Sequence, residues 1–423
     1  MKLNMIRLDE YCDSVRDGTH DTPKPTISGH YLVTSKAIYN NSIDFSSCYY
    51  ISSKDFDKIN QRSFVEKWDV LMTMIGSVGR LLLVRYTPDY AIKNIALFKV
   101  GDETRSKWLY YYLSMPSVQS YFDMIASGTS QHFIGLGHLR KLKIENIPLN
   151  GKKVVSILST YDDLIENNNK RIRLLEQMAE NLYKEWFVRF RFPGHEKVEM
   201  VKTKLGKLPS TFTVTNMESV IDYYIGGGWG NDEYSGDFPI QASVIRGADF
   251  PSVTRYDVSS CPKRYHKISN YKKRQLEDGD IIMEISGGTS EQPVGRTVLV
   301  TQDLIDRFED GKLICASFCK LLRLKKDVIS PYFFYYWMQF LYDTRIITRF
   351  QLQSTGIINF KFEPFLKKGV VMLPPMDLME SFDKHIIPLF KEINSIAMQN
   401  SLLSRQRDLL LPRLMSGKLE VKL

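Results

Sequence analysis

The sequence predicts an α+β protein built as a tandem pseudo-repeat: two similar α/β modules, each followed by a long helix. Two observations predict it. Motifs recur in the same order in both halves, and each half ends in a proline followed by an apolar series of heptad period. Together they describe a device with two gripping modules held by helices that can pair.

The first module spans residues 1–149. Its strand-like runs are Tyr31–Thr34, Val70–Ile75, Leu81–Val84 and Ile95–Val100, separated by Gly and Pro turns, and a short aromatic helix, Trp108–Leu113, follows. The second module, residues 210–374, repeats that order. Asp280-Ile281-Ile282-Met283 resembles Asp69-Val70-Leu71-Met72, and Gly295-Arg296-Thr297 resembles Gly79-Arg80-Leu81. The aromatic helix recurs from Pro331 to Trp337, and Gln353-Ser354-Thr355 precedes Pro374 much as Ser127-Gly128-Thr129 precedes Pro148. Loops of different length on a shared scaffold are expected where loops carry recognition.

The helices are read from their spacing. Over 150–190, Leu158, Ile165, Ile172, Ala179 and Trp186 alternate with Tyr161, Asn168, Leu175 and Leu182. Over 375–423, Ile386, Ile393, Asn400, Arg407 and Leu414 alternate with Leu389, Ile396, Leu403 and Leu410. Such seams pair helices, and Asn168 and Asn400 are placed to fix register at a cost in stability. At 1.5 Å per residue, Leu158 to Trp186 is roughly 43 Å long. Pro388 is expected to start or kink the second helix and Pro412 to mark its end. A Lys-rich linker, 191–209, separates the first helix from the second module.

Composition bounds the function. The 423 residues suffice for two or three domains, and 43% hydrophobic with 25% charged residues is ordinary for a soluble protein. No uncharged apolar run reaches membrane length and the N-terminus lacks a signal-peptide core, so a cytoplasmic location is expected. The five cysteines form no CxxC pair; they read as buried reduced thiols, with Cys315 and Cys319 sharing one face of a strand. The net charge of +9 favours a polyanionic partner, and Arg255, Lys263, Arg264, His266, Lys267, Lys272, Lys273 and Arg274 crowd one turn-rich stretch.

Catalytic signatures are missing. There is no GxxxxGK[ST] loop, Gly135-Leu136-Gly137 lacks the third glycine of a dinucleotide loop, and the only Pro-Pro pair, Pro374-Pro375, is no [DN]PP[YF] motif. Pro88-Asp89 is followed by no acidic-x-Lys triplet. The seven histidines lack metal-ligand spacing, so no metal is expected. This favours a binding protein.

Three segments carry a family resemblance: Asp17-Gly18-Thr19-His20-Asp21-Thr22-Pro23, the helix Leu158–Val188, and the stretch Ser404–Leu419. With them the chain resembles, over essentially its whole length, the specificity subunit of Type I restriction-modification systems. Asn150-Gly151 and Met376-Asp377 depart from the Glu-Gln that often follows each module's proline in that family, which leaves the helix starts open. The resemblance implies two target-recognition domains, each reading half of a split sequence in double-stranded DNA, joined by helices forming an antiparallel coiled coil. That spacer would dock two methyltransferase subunits, which use S-adenosylmethionine. Endonuclease/translocase subunits, using ATP and Mg, would complete the complex, and this chain would bind no cofactor and catalyse nothing.

Candidate DNA contacts follow from position, with Lys and Arg for phosphates and amides, hydroxyls and Arg for base edges. In the first module they are His20, Lys24, Ser35, Lys36, Arg80, Ser130, Gln131 and His132. In the second they are Trp229, Asn231, Gln241, Ser243, Arg246, Arg264, Lys273, Arg274, Ser286, Thr289, Gln292 and Arg296. His20 serves equally well to order its own turn, and Trp229 either meets DNA or anchors the Gly226-Gly227-Gly228 loop. Two competing functions are a self-contained DNA-modifying enzyme, which needs a catalytic motif, and a coiled-coil adaptor without DNA binding, which leaves the duplicated modules idle.

Overall fold

The two heptad series become the two longest helices, Gly151–Tyr183 of 33 residues and Met376–Met415 of 40. The first continues through a π turn, Lys184–Val188. A computed structural model describes residues 4–39, 41–127, 132–203, 206–288, 292–354 and 357–421 of the chain. The helices start at Gly151 and Met376, so the residues that depart from Glu-Gln still open them. Leu158, Ile172, Ala179, Trp186, Ile386, Ile393, Ile396 and Leu414 are buried, while Ile165, Leu175, Leu182, Leu403 and Leu410 are half-buried. None of these apolar seam positions is exposed.

Two compact units are present: Met1–Ile165 with Leu403–Leu423, and Glu166–Leu402. In the first, a four-stranded antiparallel sheet runs in the order Ser14–Asp17, Ile95–Lys99, Val70–Thr73, Leu81–Leu83. Beside it His30–Thr34 pairs antiparallel with Tyr49–Ile51 and parallel with Tyr90–Lys93. A ladder of Met5–Arg7 with Lys143–Glu145 closes the module before its helix. Trp108 and Phe122 pack with Leu158 of the central helix and with Leu411 and Leu414 of the C-terminal helix.

The second unit repeats these three sheets in the same strand order. Its four-stranded sheet runs Ile221–Gly226, Cys319–Leu324, Ile281–Glu284, Thr297–Leu299. Ile240–Ile245 pairs antiparallel with Lys263–His266 and parallel with Leu313–Cys315, and Thr213–Asn216 with Val370–Leu373 closes the module. The repeat extends to single bonds. Buried Asp69 accepts from Glu66 N at 2.7 Å and Lys99 Nζ at 2.9 Å; buried Asp280 accepts from Glu277 N at 2.7 Å and Arg323 Nη2 at 2.8 Å. In each case a backbone N–H and a cation offset part of the cost of burying the carboxylate.

Within the second unit the long helices run antiparallel. Asn168 Nδ2 donates to Asn400 Oδ1 at 2.9 Å, Arg171 pairs with Glu392 at 2.8 Å, and Phe187 meets Phe382 edge-on at 5.1 Å. Asn400 Nδ2 in turn donates to Asn169 Oδ1 at 3.0 Å, so Asn400 bonds two successive amides of the central helix.

Three local expectations are corrected. Pro388 does not start its helix, which begins at Met376, and Pro412 does not end it, since the helix runs on to Met415. Pro388 is exposed, where water can take up the carbonyl of Lys384, and buried Phe382, Ile386 and Ile393 pin the helix on both sides. Cys315 and Cys319 do not share a strand; they end one and begin the next, both buried. The aromatic helix is longer than its apolar run, Glu103–Ser114, because Asp102 caps it by accepting from Arg105 N at 2.8 Å. Among the described residues no helix is long and apolar enough to cross a membrane.

Candidate nucleic-acid interface

The candidate interface in each unit lies where the first strand of the four-stranded sheet ends against the parallel strand of the neighbouring sheet. In the first unit Gly18 N donates to Ile95 O at 2.9 Å and Thr19 N to Ile92 O at 3.0 Å. A Cβ on Gly18 would lie 2.2 Å from Ile92 O, so only glycine fits. The chain then turns through His20, whose ring lies between Asn94 Oδ1 at 2.7 Å and buried Asp17 Oδ2 at 3.0 Å. Arg62 also pairs with Asp17. His20 therefore orders its turn and still exposes 60% of its side chain. Beside it is a cavity of about 420 Å³ lined by Thr19, His20, Thr22, Lys58 and Arg62.

The second unit reproduces that crossing with unrelated side chains. Gly227 N donates to Cys319 O and Gly228 N to Cys315 O, both at 2.9 Å, and a Cβ on Gly227 would lie 2.1 Å from Ala316 O. The glycine loop is thus rigidly held, and Trp229 stands where His20 stands in the first unit. Trp229 is 40% exposed with the Arg264 guanidinium 4.8 Å from its ring centre.

Residues 2–177 match the family model described as Type I restriction modification DNA specificity domain. Similar proteins match over far more of the chain. The Type I restriction enzyme MjaIX specificity subunit of Methanocaldococcus jannaschii is 23% identical, over 95% of this chain and 86% of its own. The HindI specificity subunit of Haemophilus influenzae is also 23% identical, over 92% and 94%. The chain belongs to the Type I restriction-modification specificity-subunit family. It is the DNA specificity subunit of such a system, a non-catalytic part of a larger complex. A crystal structure of the specificity subunit from M. genitalium shares the fold, with a TM-score of 0.50 at 16% identity over 98% of this chain and 96% of that one.

Against this specificity-subunit frame, the candidate side chains fall into distinct groups. Lys24, Lys36, His132, Asn231, Lys273 and Gln292 are exposed. The His132 carbonyl accepts from Gly76 N and the Asn231 backbone forms a bridge with Tyr265, so both lie on anchored loops. Ser35 donates to Asn94 O at 3.3 Å, Gln241 to the Tyr265 hydroxyl at 3.1 Å, and Ser286 to Asn359 Oδ1 at 2.7 Å. Ser243 is buried. Arg80 lies over Tyr39 at 5.4 Å and donates to Ile38 O. Ser130, Gln131 and Thr289 lie outside the described residues.

Several arginines are engaged internally. Arg246 forks onto buried Asp249 at 2.9 and 2.8 Å, and Arg296 onto buried Glu284 at 2.8 and 2.6 Å. Arg274 donates to Gly226 O at 2.9 Å, holding the glycine loop, and Arg264 pairs with Asp232. The basic stretch is diluted in the same way: Arg255 pairs with Glu176 at 3.0 Å and Lys263 with Glu309 at 2.5 Å. His266 is buried, and burial, then Arg264 and Arg274, pull its pKa down. Among the described residues, Lys272 and Lys273 make no ion pair.

Sequence reasoning missed one basic face. Lys54, Lys58 and Arg62 recur every fourth residue on the helix Ser53–Ser63, and that spacing places them together. The helix is announced by Ser52, whose hydroxyl accepts from Asp55 N at 3.1 Å. Among the described residues no group of three or more His, Cys, Asp and Glu could hold a metal ion.

Proposed function

We propose that each unit reads one half of a bipartite sequence in double-stranded DNA, and that the paired helices set the spacing between halves. In domain terms, residues 1–149 and 210–374 are the two target-recognition domains. Residues 150–190 and 375–423 are the spacer helices, and 191–209 is a linker. The observation that carries this reading is the duplication itself: one sheet topology, one glycine crossing and one buried acid, each present twice. Two equivalent crossings with different side chains, His20 in one and Trp229 in the other, suit two half-sites of different sequence. Reading surfaces about one helical turn apart, ~34–36 Å, would meet the duplex on one face.

Exposed cations set affinity by neutralising phosphates, and polar side chains on the anchored loops select bases. In the first unit Lys24, Lys36, Lys58 and Arg62 take the phosphate role with His20, Ser35, Arg80, Ser130, Gln131 and His132 beside them. In the second Lys272 and Lys273 take it, around Trp229, Asn231, Gln241 and Gln292.

The helices also carry the partners. Leu174, Met178, Met398 and Leu402 are 47–59% exposed on them, an apolar surface suited to two methyltransferase subunits. Those subunits supply S-adenosylmethionine chemistry on adenine, and endonuclease/translocase subunits supply ATP- and Mg-dependent cleavage, in the cytoplasm. Exchanging residues 1–149 for those of another specificity subunit tests the modularity. One half-site is expected to change and the other to persist; a change in both contradicts the proposal.

A further inference from the structure

The loop that leaves the glycine crossing of the first unit is tied down along its length. Asp21 N donates to Thr19 Oγ1 at 3.1 Å, and Lys93 Nζ donates to the Thr22 hydroxyl. Pro23 and Pro25 fix their own φ. Thr26 N donates to Tyr50 O at 2.9 Å, bridging the loop to the edge strand Tyr49–Ile51. Gly29 closes the loop, where a Cβ would lie 2.2 Å from Ile51 O.

At the tip stands Ile27, the most exposed large hydrophobic side chain among the described residues, at 100%. A lone exposed apolar residue is ordinary on a protein surface. Ile27 differs because its neighbours fix the turn that carries it: Thr26 Oγ1 donates across it to Ser28 O at 2.9 Å. An apolar tip on a pre-shaped loop loses little further freedom when it meets a partner.

The surroundings favour DNA as that partner. The root of the loop, Thr22 and Pro23, lines the cavity shared with His20, Lys58 and Arg62. Lys24 is exposed on the loop itself, and the side chains of Lys58 and Arg62 keep 73% and 64% exposure. Asp21 is the one acid on the loop and lies 3.9 Å from Lys58. Cations around an apolar tip suit a side chain that enters a base stack between phosphates. The second unit has the same bridge, Asn231 to Tyr265 on the edge strand Lys263–His266, but a different tip. There Asp232, Glu233 and Asp237 surround Tyr234, whose ring lies 6.0 Å from that of Tyr265. Those acids repel phosphates, so the feature belongs to the first unit alone.

We propose that Ile27 is a specificity-determining wedge, which enters the base stack of the half-site read by the first unit and parts one step. This role rests on that unit's binding half of a DNA target. Pyrimidine–purine steps part most easily, so the wedge selects sequence at a step where no base hydrogen bond is made.

The test uses the full chain and duplexes carrying the half-site that domain exchange assigns to residues 1–149. 2-Aminopurine is placed singly at successive positions, where its fluorescence rises when its neighbours unstack. Binding of the parent chain should brighten one step several-fold. Ile27→Ala should abolish that signal and weaken binding roughly tenfold, as loss of a side chain buried only on binding does. Ile27→Leu should keep both signal and affinity. Lys24→Ala should weaken binding and keep the brightening. Leu149→Ala, which removes a 93% exposed apolar side chain elsewhere, should leave both unchanged. Saturable binding with no brightened step, or equal brightening by the Ile27→Ala chain, overturns the wedge while DNA reading stands. Absence of saturable binding by the parent to any half-site duplex overturns that reading and the wedge with it.

Discussion

Replacing Asp162 with Asn should loosen the first unit at the point where both long helices enter its core. Asp162 is 5% exposed on the central helix. It accepts from the Tyr111 hydroxyl at 2.6 Å and pairs with Arg407 of the C-terminal helix at 2.6 Å, with Arg85 Nη2 at 3.7 Å. Burial alone would lower the Arg407 pKa, but Asp162 and Asp408 outweigh it and the net shift is upward, so the guanidinium stays charged. Asn keeps an acceptor for Tyr111 and removes the charge, leaving Arg407 and Arg85 facing a neutral amide. Breaking a buried pair from one side costs about 3–5 kcal/mol. Arg407 retains 23% side-chain exposure, so water recovers part of this and about 2–3 kcal/mol is expected. Arg407→Met should cost less, since Asp162 keeps Tyr111 and Arg85, and the double variant should show a coupling of about 1–3 kcal/mol. The readout is hydrogen exchange of helix amides at 158–165, which reports local opening free energy. A cost below about 0.5 kcal/mol for Asp162→Asn, or strict additivity of the two changes, refutes the reasoning.

Four further outcomes follow from named residues. Burial pushes the Asp383 pKa up to about 6, against the Ser330 hydroxyl donating at 2.7 Å. The folded state thus binds that proton more tightly than the unfolded chain, and this group's stabilisation is lost as pH rises from about 4 to about 6. Asp383→Asn should therefore be more stable than the parent by about 1–3 kcal/mol at pH 8 and equal near pH 4 in urea unfolding; no gain at pH 8 would contradict the assignment. Gly18→Ala, with its Cβ 2.2 Å from Ile92 O, should abolish recognition of one half-site only, and Gly227→Ala, at 2.1 Å from Ala316 O, that of the other, by binding to half-site probes. Lys273→Ala should lower the salt dependence of DNA binding by about one unit of slope and leave stability unchanged. Arg296→Ala, which strands Glu284 at 7% exposure, should instead destabilise the second unit by about 2–4 kcal/mol.

What could be read from the chain was whatever repeats at short range. The seam residues follow a fixed period, so Leu158, Ile172, Ile393 and Ile396 were identifiable without knowing what they touch. The pairing of Asn168 with Asn400 follows from two amides on facing seams. What depends on distant partners was not readable. Arg246 is held by Asp249 three residues away, but Arg255 is taken by Glu176, Arg264 by Asp232 and Arg296 by Glu284, so a basic sequence stretch overstates the free positive charge. Pro388 stayed helical because tertiary burial on either side exceeds its local cost. The equivalence of Gly18 and Gly227 was hidden because His20 and Trp229 share no chemistry; only the backbone crossing is common.

The most direct test of the central claim is adenine-methylation mapping of the genome of a host expressing this chain with its neighbouring methyltransferase, against a host lacking only this chain. The account predicts a split motif methylated in both halves, which vanishes when the chain is removed. Unchanged adenine methylation with an expressed, active methyltransferase would contradict it.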